Sequence, residues 1–83
     1  MINIEREVAG ILDQVLSING RGMNLKPDSP LLGAIPELDS MAVVTILTTL
    51  EEHFGFTVED DEISADTFAT LGTLTQFVEQ KLG

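Results

Sequence analysis

Apolar residues recur at three- and four-residue steps from the start of the chain: Ile4, Val8, Ile11, Leu12, Val15 and Leu16, with Glu5, Arg6, Asp13 and Gln14 on the other face. That period predicts an amphipathic helix over residues 3–18, with Asn3 as its N-cap and Asn19-Gly20 as its stop. The regularity then breaks. Gly20, Gly22, Pro27, Pro30, Gly33 and Pro36 punctuate residues 19–38 and predict a long loop. Loops of this length are uncommon in compact domains unless they serve a function. Leu25, Leu31, Leu32, Ile35 and Leu38 also fall within it, so it is expected to pack over the helices.

The helical period returns over residues 40–54, where Val43, Ile46, Leu47, Leu50 and Phe54 form one stripe and Val44 widens it. Asp39 is placed to cap the start and Gly55 to end the helix in a left-handed turn. Val43, Val44, Thr45, Ile46, Thr48 and Thr49 are β-branched and on propensity favour a strand; the spacing and the two end signals outweigh them. An extended connector follows over 56–60, then a short helix around 61–66. Glu59, Asp60, Asp61 and Glu62 would sit at its positive end. Phe68 reads as a core plug. A last helix is expected from Thr70 to Leu82, burying Leu71, Leu74, Val78 and Leu82, with Gly72 weakening its first turn. The pattern is all-α: a four-helix bundle of three longer helices plus one short helix, with the long loop between the first and second.

Composition narrows what such a bundle can do. At 83 residues there is room for one domain, 1–83, and a chain this small buries only about 60% of its unfolded surface. Cysteine is absent, which excludes disulfides, thiolate nucleophiles and cysteine-based metal sites. The net charge of −10 is uneven. Residues 1–26 hold three acids and three bases, whereas residues 27–83 hold eleven acids and only Lys81. Such a surface repels nucleic acid and anionic lipid and attracts basic protein patches. No apolar run is long enough to insert in a membrane. Residues 1–20 read as a charged amphipathic segment rather than a signal peptide, so the cytoplasm is the expected location.

Few residues carry chemistry. His53 is the sole histidine, which leaves a relay or zinc site without partners, and it reads as a surface residue near a helix end. The acidic run 59–62 lacks the spaced ligands and central glycine of a calcium loop, and no metal site is expected. Gly20-Arg21-Gly22 lacks the strand and lysine of a phosphate-binding loop and reads as a turn. The informative stretch is Asp39-Ser40-Met41. A serine at a helix start has its hydroxyl beside unpaired backbone amides, so a phosphate esterified there would meet the positive end of the helix dipole. Read alone, the same tripeptide is more often an ordinary capping pair.

The wider context resembles the acyl carrier protein family. Asp28-Ser29-Pro30-Leu31-Leu32 precedes Pro36-Glu37-Leu38-Asp39-Ser40-Met41, where the family has Asp-Ser-Leu after a leucine. Leu50-Glu51-Glu52-His53-Phe54-Gly55-Phe56, Asp61-Glu62-Ile63 and Phe68-Ala69-Thr70-Leu71 continue the likeness in order along nearly the whole chain. The resemblance implies a single acyl-carrier-like domain, expected as a monomer, that is a shuttle and not an enzyme. It implies that Ser40 receives phosphopantetheine from coenzyme A through a separate phosphopantetheinyl transferase. Asp39 would be an adjacent recognition or metal-bridging group, and Met41 would stand in the family's leucine position. The arm would carry acyl or aminoacyl groups as thioesters to acyl-activating or acyl-transferring enzymes with basic docking surfaces. Leu38, Ala42, Thr45, Glu51, Glu52, Glu59 and Asp60 are the residues expected to meet them. Fatty acyl, polyketide, aminoacyl and D-alanyl carriers share this attachment logic, and a chain tucked between the helices would touch Val44, Leu47, Ile63 and Phe68.

One departure bears on pathway. Carriers of the fatty-acid-synthesis type often bear acids just after the serine, where this chain has Ala42 and Thr45. That predicts a specialised carrier, since charge complementarity governs encounter rate and partner choice. Two other classes compete: an unmodified helical interaction module with an idle serine, and a stand-alone enzyme, for which no catalytic constellation can be assembled.

Overall fold

Three α-helices build the structure, a computed structural model that describes residues 3–17, 20, 24–36 and 38–83, with the side chain of Asp60 outside that description. Helix α1 spans Ile4–Leu16, α2 Ser40–Phe54 and α3 Leu71–Leu82. The expected end of the first helix at residue 18, and Asn19, Arg21, Gly22 and Glu37, lie outside the described residues.

Local chemistry accounts for the ends. Asn3 accepts from the Arg6 amide at 3.1 Å, with Glu5 and Glu7 in the first turn of α1, where acids oppose the dipole favourably. The helix stops at Ser17, left-handed at φ 54°, earlier than the expected Asn19-Gly20 stop. Gly20 then donates to the Asp13 carboxylate at 2.8 Å, fastening the chain back onto the last turn of α1. Helix α2 has the expected bounds, with Asp39 and Gly55 as its caps. Its threonines are accommodated because Thr45, Thr48 and Thr49 donate their hydroxyls to the carbonyls four residues earlier, at 2.8–3.0 Å.

The expected short helix at 61–66 is corrected to two 3-10 turns, Asp60–Glu62 and Ala65–Phe68. Ser64 is extended between them, and its amide donates to Thr67 Oγ1 at 3.3 Å, which begins a new turn instead of continuing the first. The all-α bundle stands, and the described residues contain no strand, only an isolated pairing of Pro30 with Thr70.

Helix α1 packs against both α2 and α3. Val8, Leu12, Leu31, Ile46, Leu50, Phe68, Leu71, Leu74 and Val78 are fully buried between them. Three expected core residues are not: Val44, Leu32 and Leu82 are exposed. Val44 lies beyond the edge of the α2 stripe, and Leu82 is the final residue of α3. Leu32 sits in the turn that follows buried Leu31, closed by the Ala34 and Ile35 amides donating to the Leu31 carbonyl at 3.2 and 3.1 Å, and is left on the outside of it.

The loop is bound to the start of α3 through backbone. Leu31 donates to Ala69 and Leu32 to Phe68, both at 3.0 Å; in return Leu71 donates to Ser29 at 3.1 Å and Gly72 to Pro27 at 2.7 Å. Two of the amides that any helix start leaves unpaired are thereby met by loop carbonyls. The Thr70 hydroxyl takes a third, from Thr73, at 3.1 Å. A Cβ on Gly72 would stand 2.7 Å from the Pro27 oxygen, so glycine is needed here for close approach. Overpacking costs about 1–3 kcal/mol, more than the ~1 kcal/mol that alanine gains over glycine in helix propensity. Gly72→Ala is therefore expected to lower stability by about 1 kcal/mol, read as a lower denaturant midpoint with unchanged slope. A variant as stable as the parent would show that the loop yields freely.

Candidate functional site

The long loop ends at Leu38, which is only 6% exposed and whose amide donates to Ile35 at 3.0 Å. This corrects its expected place on the partner surface: Leu38 is a core anchor that sets where the loop stops. Asp39 follows in extended geometry and accepts from the Ala42 amide at 2.9 Å, so its carboxylate serves as the α2 cap. Ser40 is then the first residue of α2 and is exposed. Met41, beside it, is 75% exposed, while Ala42 is half-buried against the core.

Ser40 lines the mouth of a groove of about 550 Å³ that also includes Leu32, Asp39, Val43, Ile63, Ser64, Ala65 and Phe68. A neighbouring groove of about 290 Å³ is lined by Val43, Val44, Leu47, Thr48, Glu51, Val58, Glu59 and Ile63. The four residues expected to line one cargo space divide between the two. Phe68 lies in the first, Val44 and Leu47 in the second, and Ile63 in both. Leu32 was not anticipated at the mouth. No local pattern marks it out, because the turn closed on the Leu31 carbonyl by Ala34 and Ile35 sets which of the two leucines is exposed.

The acids expected to form the partner surface are unequal. Glu52 and Glu59 are exposed. Glu51 is half-buried and accepts from the Val58 amide at 2.7 Å, closing the connector onto α2. Asp60 begins the first 3-10 turn. Glu62 receives Lys81 Nζ on both oxygens, at 2.8 and 3.1 Å, and the Glu59 amide at 3.0 Å. The lysine, and then that amide, hold its carboxyl below the ordinary glutamate value. Exposed His53 brings Nε2 within 3.0 Å of Glu7, across from α2 to α1. Thr45 is exposed, with its hydroxyl bonded to Met41.

Among the described residues no group of three or more histidine, aspartate or glutamate side chains could hold a metal ion. No described helix is long and apolar enough to cross a membrane. The arrangement places the exposed Ser40 at the start of α2 beside a largely apolar groove.

A family model described as the phosphopantetheine attachment site matches residues 6–78. The chain is similar to a solved structure, the solution NMR structure of a holo acyl carrier protein from Nitrosomonas europaea. Sequence identity is 57% over 99% of this chain and 98% of that one, with a TM-score of 0.88. No curated protein matches the chain significantly.

Proposed function

The chain belongs to the phosphopantetheine attachment family of acyl carrier proteins, and we propose that Ser40 is the residue to which its arm is joined. Members are carriers, not enzymes. They are served by a phosphopantetheinyl transferase and by acyl-processing enzymes, and their cofactor is covalent phosphopantetheine. The observation that carries the assignment is the exposed hydroxyl of the first α2 residue at the mouth of the 550 Å³ groove.

The residues present fit that group. First-turn amides of α2 favour a phosphodiester on the Ser40 oxygen. Asp39 keeps the helix start formed while its carboxylate is occupied by the Ala42 amide, which moderates its repulsion of phosphate. Buried Leu38 holds the loop end, so that Ser40 is presented from a rigid corner. When bound, the arm supplies the thiol on which an acyl group rides as a thioester. The protein contributes presentation, and tethering raises the effective concentration of cargo at a docked enzyme.

Intact mass after incubation with coenzyme A and a broad-specificity transferase is expected to rise by one phosphopantetheine, and fragmentation should localise it to Ser40. No increment, or an increment elsewhere, removes the assignment.

The finer reading is a carrier with a dedicated partner set, supported by the absence of acids at the exposed positions just after Ser40. An acyl-transferring enzyme of general fatty-acid synthesis, which steers its carrier by charge, should load this chain about tenfold more slowly than its own carrier. Equal loading rates would return the chain to the general class.

A further inference from the structure

The chain holds no cysteine, so its own sulfur is that of three methionines, of which Met1 and Met23 lie outside the described residues. Met41 is described and is 75% exposed. Its side chain lines neither groove beside Ser40, which leaves the thioether open to small solutes. It is also the next residue after Ser40, with α-carbons about 3.8 Å apart, the spacing of a trans peptide.

An exposed thioether is oxidised by a hydroperoxide. The sulfur lone pair attacks one peroxide oxygen, forming the S–O bond and breaking the O–O bond. The proton on the transferred oxygen passes to the departing hydroxide, so hydrogen peroxide is reduced to water and the thioether becomes a sulfoxide. A flexible apolar side chain is thereby replaced by a polar one with a strong acceptor. Its neighbours one turn away offer that acceptor no free donor. Val44 is apolar, and the Thr45 hydroxyl donates to the Met41 carbonyl at 3.0 Å. Leu38, one turn back, is apolar and buried. Water must solvate the sulfoxide, and an enzyme that closes over Ser40 has to strip that water away. Burying a polar group without a partner is costly.

We infer that Met41 is a reversible oxidation site whose sulfoxide form slows attachment of the arm at Ser40, so that peroxide holds the chain unmodified. The inference rests on the Ser40 assignment. Reversal falls to a methionine sulfoxide reductase with a dithiol as electron donor: the oxygen leaves as water and the dithiol becomes a disulfide.

The test begins with the apo chain, oxidised by hydrogen peroxide and freed of it before coenzyme A and a broad-specificity phosphopantetheinyl transferase are added. Oxidising first keeps the thiol of the arm out of the reaction. Peptide fragmentation should place one added oxygen on Met41, at a rate within about threefold of free methionine, as its exposure dictates. Arm uptake, followed by intact mass, should then fall about tenfold in kcat/KM and recover after treatment with the reductase and dithiothreitol. Met41→Leu keeps the apolar volume and removes the sulfur. That variant is expected to load as the reduced wild type does, before and after peroxide. Circular dichroism should be unchanged by oxidation, because the side chain is exposed.

Met41 left as the thioether while free methionine is consumed would overturn the inference, as would an oxidised chain that loads at the wild-type rate. A peroxide effect that persists in Met41→Leu would place its origin at another methionine, and a loss of helix on oxidation would make it a folding effect; either result overturns the proposal. Failure of the reduced wild type to take up the arm would instead remove the Ser40 assignment, and this inference with it.

Discussion

Ser40→Ala is expected to abolish phosphopantetheine uptake completely while leaving the bundle folded. The two halves of that expectation have separate causes. The hydroxyl is the nucleophile that the transfer requires, and alanine offers no oxygen. The fold, by contrast, depends little on it: Ser40 is exposed, and the α2 start is capped by Asp39, whose carboxylate accepts from Ala42. Surface substitutions of this kind change stability by about 0.5 kcal/mol or less. Intact mass and thermal unfolding on the same sample check both. Uptake by the alanine variant equal to wild type would move the attachment elsewhere. Loss of uptake with unfolding would mean that Ser40 matters for structure.

Phe68→Ala is expected to have the largest effect on stability. The ring is 2% exposed and lies in the core, where the second 3-10 turn meets the loop and α3. It is also in the wall of the groove beside Ser40. Removing a buried phenyl ring leaves a cavity and costs about 3–5 kcal/mol, a large share of the 5–15 kcal/mol that typically holds a domain together. For a chain of this size each kcal/mol moves the melting temperature by about 4–8 °C, so a drop of more than about 10 °C should be seen by circular dichroism. A loss below about 1 kcal/mol would mean that the groove collapses onto the space left by the ring.

The helix bounds show where sequence reading works. Residues 40–54 were delimited from Asp39 and Gly55, and those residues perform the two caps, one by a side-chain bond to the third residue on, the other by a left-handed turn at φ 78°. Each event involves atoms within a few residues. The short helix went differently. Four acids in a row favour a helix start, but Ser64 begins a fresh turn two residues after Glu62, and the segment divides into two 3-10 pieces. The acids were legible as acids, not as bonded or free. That Glu51 would hold Val58 and Glu62 would hold Lys81 depends on how the connector and α3 come back to meet them.

What the chain determined by itself is the all-α class, the start and stop of α2, the placement of one serine at a helix mouth and the likeness to a carrier family. Periodicity, capping and motif order are properties of neighbouring residues. Burial and closeness are not. A hydrophobic stripe reveals its centre, so Ile46 and Leu50 were identifiable, but its width is set by the partner helices, and Val44 falls outside it, while Leu38 is buried although it lies in the loop before the helix. Gly72 looked like a weak point in a helix and is instead the gap into which the Pro27 carbonyl fits, because the atom that requires it comes from a loop far back along the chain. Tertiary packing alone could decide that, since it depends on distances between residues that no local pattern relates.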